Sequence, residues 1–295
     1  MMFSLFLGVG LPKDNDAVAL RASDYWRFVV GFPMILQVLS VLSMVAVVKY
    51  DSIRFLVSTG RYNHARDMIR LVYQCNKERP NKIITQIEQS SNKGTSSVTT
   101  KEALTSPHHR RATWIALAII IFHELTGENA IMLYSTEIFR KMIGNQDGSV
   151  IEPRVATVVI GVFNFLAHFP AIYVIKKLPR RYILISGHLL TALCHIFIGA
   201  FAASSNNGGV IVMVAIFMVV YVIANGPIVW LYVSEIVVDT ALGVCLFTLW
   251  SAILMLSLFT GPLMDSFLRP EGVFWILGIS QLGGAWFSFR NVKET

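Results

Sequence analysis

Charge is scarce in this chain. Only 15% of its 295 residues are Asp, Glu, Lys or Arg, while 54% are hydrophobic; a soluble domain carries nearer a quarter charged. Cysteine is scarcer. Cys75, Cys194 and Cys245 are odd in number and widely spaced, two in apolar runs and one in a basic loop. That excludes a disulfide framework and a metal-ligand spacing, and all three read as reduced and structural. There is no Asn-x-Ser/Thr acceptor, so N-glycosylation is not expected. No nucleophile–base set, metal cluster or phosphate loop stands out, which argues against an enzyme and leaves no cofactor to expect. Basic residues do not interleave with aromatics, so the formal net charge of +7 does not point to nucleic acid.

What the chain does have is long apolar runs. Residues 26–49, 112–139, 155–176, 182–204, 208–235, 241–264 and 271–290 each reach about the 20 residues that cross a bilayer. The expected fold is therefore all-α, a polytopic membrane helix bundle with lipid as a partner. Residues 1–12 are apolar but too short to cross, and they lack a basic leader and a small-residue cleavage site. They read as the last half of a membrane helix, not as a signal peptide.

Between the first and second full spans lies a polar loop, 50–111. Its 61–74 segment has helical periodicity, with Ala65, Met68, Ile69 and Val72 on one side. Residues 81–89 suggest a second short helix. Residues 90–106, rich in Ser, Thr and Lys, suggest a flexible link. Most of the 25 Lys and Arg fall in this loop, at 176–181 and at 290–293. The positive-inside rule then places these segments, and the C-terminus, in the cytosol.

The stretch most out of keeping with a membrane helix is 121–136, Ile-Phe-His-Glu-Leu-Thr-Gly-Glu-Asn-Ala-Ile-Met-Leu-Tyr-Ser-Thr. It puts His123, Glu124, Glu128 and Asn129 at a depth where a charge costs about 2.5–3.5 kcal/mol. Gly127 can loosen the helix among them. Discontinuous polar helices at mid-membrane are where secondary transporters hold substrate. Asn164 is a lone amide in another apolar span, suited to a ligand or to a helix–helix hydrogen bond worth about 0.6 kcal/mol. His168, one turn on, reads as a structural donor to carbonyls freed by Pro170. In 225–235, Asn-Gly-Pro-Ile-Val-Trp-Leu-Tyr-Val-Ser-Glu, Gly226 and Pro227 are expected to break a helix just before Trp230.

These stretches resemble the sugar porters of the major facilitator superfamily. Their seventh membrane helix reads Gln-Gln-Leu-Ser-Gly-x-Asn-Ala, then aromatic-Tyr-Ser-Thr. Leu125, Gly127, Asn129, Ala130, Tyr134, Ser135 and Thr136 match, with His123 and Glu124 where the family has glutamines. Tyr50-Asp-Ser-Ile-Arg-Phe-Leu56 resembles Pro-Glu-Ser-Pro-Arg-aromatic-Leu, and 176–181 resembles Asp-Arg-x-Gly-Arg-Arg with Pro179 at the glycine. Gly226, Pro227, Trp230 and Glu235 match the tenth-helix signature, and Tyr221 matches an aromatic of the same helix. Trp250 matches the eleventh-helix tryptophan, and 292–295 resembles the start of Pro-Glu-Thr-Lys-Gly. Departures are Val222 for an acidic residue, Leu249 for an asparagine, and a shorter turn without its arginine between Glu235 and Trp250.

The resemblance runs from the end of the family's fifth helix through its twelfth. It implies a fold lacking roughly the first four helices: the end of the N-terminal bundle at 1–49, a cytosolic loop with short helices at 50–111, and a C-terminal six-helix bundle at 112–295. It further implies alternating-access transport of a hexose-type sugar at the plasma membrane, by facilitated diffusion or by symport with protons. Sugar would lie against His123, Glu124, Asn129, Tyr134, Asn164, Tyr221, Trp230 and Trp250, an indole face suiting the C–H face of a sugar. Arg54, Arg180, Arg181 and Glu235 would form a cytosolic gate. The departures leave an alternative open: a non-transporting sugar sensor or a degenerate half-porter.

Overall fold

A computed structural model of the protein describes residues 23–47, 51–73, 79–94, 98–143 and 153–294. The partial helix expected at 1–12, Cys75 and the end of the first span lie outside the described residues. The chain divides into two compact units, one taking in Thr100–Thr295 and the other lying within Pro12–Thr99. Every regular element among the described residues is helical.

The smaller unit holds α1 (Tyr25–Val47), α2 (Ile53–Ser58), α3 (Tyr62–Tyr73) and α4 (Arg79–Gly94). Ser52 caps α2, its hydroxyl accepting from the Phe55 amide at 3.3 Å. A small apolar core of Leu56, Val57, Ala65, Ile69 and Ile84 joins α2, α3 and α4, with Met68 packed at its edge. The periodic face expected on α3 is thus seen at Ala65, Met68 and Ile69. Val72 departs from it: in the last turn of α3 it is exposed.

The larger unit starts with α5 (Thr100–Thr105), inside the stretch whose composition suggested a flexible link. Tertiary contact overrides that composition. Ala103 is fully buried, and the Thr113 hydroxyl donates to its carbonyl at 2.9 Å. There follow α6 (Arg110–Glu124), α7 (Glu128–Ile143), α8 (Pro153–Lys177), α9 (Arg180–Ala203), α10 (Asn207–Val220), a π-helical turn (Tyr221–Asn225), α11 (Gly226–Ile236), α12 (Asp239–Asp265) and α13 (Arg269–Asn291). The pair α6–α7 forms one apolar span, as does α10–α11; with α1, α8, α9, α12 and α13 this makes 7 candidate spans among the described residues. That agrees with the crossings read from the apolar runs.

Two apolar clusters occupy the ends of this bundle. One gathers Ile131, Ile138, Phe139, Ile198, Phe217 and Phe274. The other gathers Ile119, Ile120, Ile183, Leu184, Ile228 and Leu249. Along α9 the order is Ile183 and Leu184, then His188, Thr191 and His195, then Ile198, so a buried polar belt separates the clusters. Helices α9 and α13 make the most extensive pairing in the unit. Small residues let them approach: a Cβ on Gly278 would lie 3.4 Å from both Ala192 O and His195 Cβ. Cys194 and Cys245 are free and buried.

At Gly187 a Cβ would collide with Asn225 Oδ1 and lie 2.9 Å from the Ala224 Cβ. Gly187→Ala is expected to destabilise the bundle by about 1–3 kcal/mol, the usual cost of overpacking. Thermal unfolding in detergent measures it; an unchanged midpoint would show that the π-turn yields freely.

Candidate functional site

The belt is built around two irregular segments. The first is the break between α6 and α7. Gly127 adopts φ +74°, in the left-handed region that disfavours a side chain. The Thr126 and Gly127 amides turn back to His123 O and Glu124 O at 3.1 and 3.0 Å, and α7 restarts with the Ile131 amide on Gly127 O at 2.8 Å. Gly127 thus ends one helix and starts the next, as its place among polar residues suggested.

The second irregular segment is the π-turn Tyr221–Asn225. The sequence led us to expect a broken helix at Gly226–Pro227. The structure instead shows a continuous path widened by one turn: the Gly226 amide bonds to Tyr221 O, five residues back, and Pro227 occupies the first turn of α11. A missing proline N–H costs least at that position, which is why the helix continues.

Side chains from the two segments meet. Asn129 Nδ2 donates to Glu124 Oε2 at 2.9 Å. His123 Nε2 lies 3.3 Å from the Tyr221 hydroxyl and 3.9 Å from Glu124 Oε1. The His123 and Tyr221 rings stack with centroids 5.6 Å apart. His123 and Glu124 are buried, Asn129 and Tyr221 half-buried. Beside them a crevice of about 220 Å³ is lined by Ile121, Glu124, Leu125, Met255, Phe259 and Leu263, joining the break to α12. The cluster offers donors and acceptors in one patch, a chemistry suited to a hydroxyl-rich solute.

The other expected site residues engage differently. The Tyr134 hydroxyl donates to Ser257 O at 2.5 Å, tying α7 to α12. Asn164 is half-buried, with its amide 3.9 Å from Met218 Sδ on α10. Trp230 is half-buried against the α6–α11 apolar cluster, and Trp250 is 65% exposed on α12. His168 Nδ1 lies 2.8 Å from Asn164 O, whereas Pro170 frees the carbonyl of Leu166; His168 is a local structural donor to a different carbonyl from the one expected.

At one end of the bundle Arg180 Nη2 donates to Glu235 Oε1 at 2.7 Å, and Arg181 Nη2 to Phe289 O at 2.7 Å. Glu294 caps α9, accepting from the Arg180 and Arg181 amides at 2.8 and 3.1 Å. Arg54 belongs to the other unit.

Five fully buried polar residues escaped the sequence reading: His188, Thr191, His195, Asn225 and Gln281. A signal was present. His188, Thr191 and His195 recur at helical spacing on one face of an apolar run, and Gln281 is a lone amide in the last span.

The fold is shared with solved structures of XylE. Against a structure of the proton:xylose symporter XylE bound to 6-bromo-6-deoxy-D-glucose, the TM-score is 0.78 at 22% identity, over 99% of this chain and 60% of the other. Against XylE from E. coli in a partially occluded inward-open conformation it is 0.75 at 20% identity, over 99% and 59%. Among curated proteins, Hexose transporter 1 of Plasmodium falciparum (isolate 3D7) is 24% identical over 311 residues, covering 100% of this chain and 60% of that protein. The Arabinose-proton symporter of Bacillus subtilis (strain 168) is 26% identical over 293 residues, covering 94% and 61%. The chain therefore spans about 60% of the length of these relatives. The sugar (and other) transporter family model matches residues 1–295, and the chain belongs to that family.

A side chain at Gly127 would be strained by its φ and would place a Cβ 2.8 Å from Leu277 Cδ1. Gly127→Ala is expected to cost about 1–3 kcal/mol of stability. Chemical denaturation of the purified protein measures this, and a wild-type value would mean that the break does not need glycine.

Proposed function

We propose that the protein carries a hexose-type sugar across a membrane by alternating access, as facilitated diffusion or proton symport. The observation that carries this reading is the cluster of buried His123 and Glu124 with half-buried Asn129 and Tyr221 at two helix irregularities, between apolar ends and beside an open crevice. Irregular backbone at membrane depth persists where it lines a cavity or is covered by protein, and transporters of this architecture bind substrate there. Family membership and the sugar-transporting relatives support the same reading.

In this account Glu124 and Asn129 hold sugar hydroxyls, and His123 and Tyr221 order them. Asn164 and Tyr134 border the site, and Trp230 and Trp250 supply flat apolar faces. Arg180 and Glu235, with Arg181, close the cytosolic side, which puts the C-terminus in the cytosol; the plasma membrane is the proposed location. Val222 and Leu249, which with the shortened turn between Glu235 and Trp250 are the family departures that favoured a degenerate porter or sensor, are only 4% and 5% exposed and pack in apolar clusters. They are accommodated as core residues and do not by themselves argue against transport.

Asn129→Ala in the full-length protein is expected to abolish sugar uptake, because it removes a ligand for the sugar and the partner of Glu124. A hydrogen bond to a charged group is worth about 1.5–3 kcal/mol, or roughly 10–150-fold in affinity. Uptake at the wild-type rate would exclude the assignment. With two titratable groups at the family's glutamine positions, sugar affinity is also expected to vary between about pH 5.5 and 7.5, and His123→Gln with Glu124→Gln to flatten the profile. A flat wild-type profile would remove any role for their ionisation.

A further inference from the structure

Bending a membrane helix frees backbone carbonyls, and lipid has no donor to give them. At the α6–α7 break the Thr126 amide goes to His123 O, so Phe122 O loses its ordinary helical partner. Gln281 Nε2, on α13, donates to Phe122 O at 2.9 Å. His195, on α9, faces Thr126 O through Nε2 at 2.8 Å. A carbonyl only accepts, so that ring nitrogen carries the proton. The Ser280 hydroxyl donates to Leu277 O at 2.7 Å within α13 and lies 3.4 Å from Leu125 O.

These donors are braced from behind. His188 Nδ1 lies 2.6 Å from Gln281 Oε1, which fixes the amide's orientation with Nε2 toward Phe122. The Thr191 hydroxyl donates along α9 to Gly187 O at 2.9 Å, lies against Gln281 Oε1 at 3.4 Å, and accepts from Asn225 Nδ2 at 3.4 Å. Asn225 closes the π-turn that begins with Tyr221. One continuous line of buried polar groups therefore runs from the break, through the tightly packed α9–α13 pair, to the other irregular segment.

We propose that Gln281 and His195, braced by His188, are positioning residues. They pin the bend at 125–127 to the α9–α13 scaffold, and Thr191 and Asn225 pin the π-turn to the same scaffold. The meeting of His123 with Tyr221, and of Glu124 with Asn129, depends on both pins. None of these residues needs to touch the solute. The bonds themselves do not depend on what is transported; their consequence for sugar affinity rests on the proposed function.

Hydrogen exchange of the full-length protein in nanodiscs tests this. His195→Phe keeps an aromatic ring and removes the donor; His195→Gln restores an N–H near the Nε2 position. Amides 125–131 are expected to exchange about tenfold faster or more in His195→Phe, the loss of one buried hydrogen bond, and near the wild-type rate in His195→Gln. Gln281→Met gives the same comparison should His195→Phe not fold, with His188→Asn expected to be milder than His188→Leu. Sugar uptake is expected to show a raised KM in His195→Phe, restored in His195→Gln. Unchanged exchange at 125–131, or equal acceleration in the Phe and Gln variants, would overturn the proposal and reduce these residues to packing. If the wild-type protein binds no sugar, the transport reading falls, while the exchange comparison still decides this one.

Discussion

A carbonyl without a donor inside a lipid-facing bundle is the constraint on which this structure turns. The α6–α7 span gives up ordinary helical bonds at Thr126 and Gly127, and the surrounding helices meet the carbonyls this frees. Gln281 meets Phe122 O at 2.9 Å and His195 meets Thr126 O at 2.8 Å. Once those polar groups are buried, they require partners of their own, and His188, Thr191 and Asn225 follow. The polar belt is a chain of obligations that starts from one glycine at φ +74°.

The belt is sustained by what lies on either side of it. Apolar clusters at both ends of the bundle exclude water from the helix interfaces. In such surroundings an unpartnered polar group is costly and a partnered one is held firmly. That combination lets His123 and Glu124, 4% and 3% exposed, persist among apolar helices while remaining next to a crevice. A half-satisfied cluster beside open space is what a neutral, hydroxyl-bearing solute can complete.

Much of this was legible in the chain itself. The seven spans follow from apolar length, because a bilayer sets that length. The break followed from Gly127 among polar residues. Three features were missed in the sequence. The helix at Thr100–Thr105 forms because Ala103 and Thr113 meet, a contact that composition does not encode. The continuous path through Gly226–Pro227 depends on a π-turn, where proline takes a first-turn position that costs little. Within the site, the sequence marked the residues on the break but not the ones that brace it. Gln281 is 159 residues from Phe122 in sequence, and it meets the break through the Phe122 carbonyl. Trp250, selected by its motif, is 65% exposed on α12.

The central claim is that the broken-helix cluster is where sugar binds. A structure of the full-length protein in nanodiscs with a saturating hexose tests it most directly. The account predicts sugar hydroxyls within hydrogen-bond distance of Glu124 and Asn129, in the crevice beside α12. A hexose bound elsewhere, or no saturable binding at all, would contradict it.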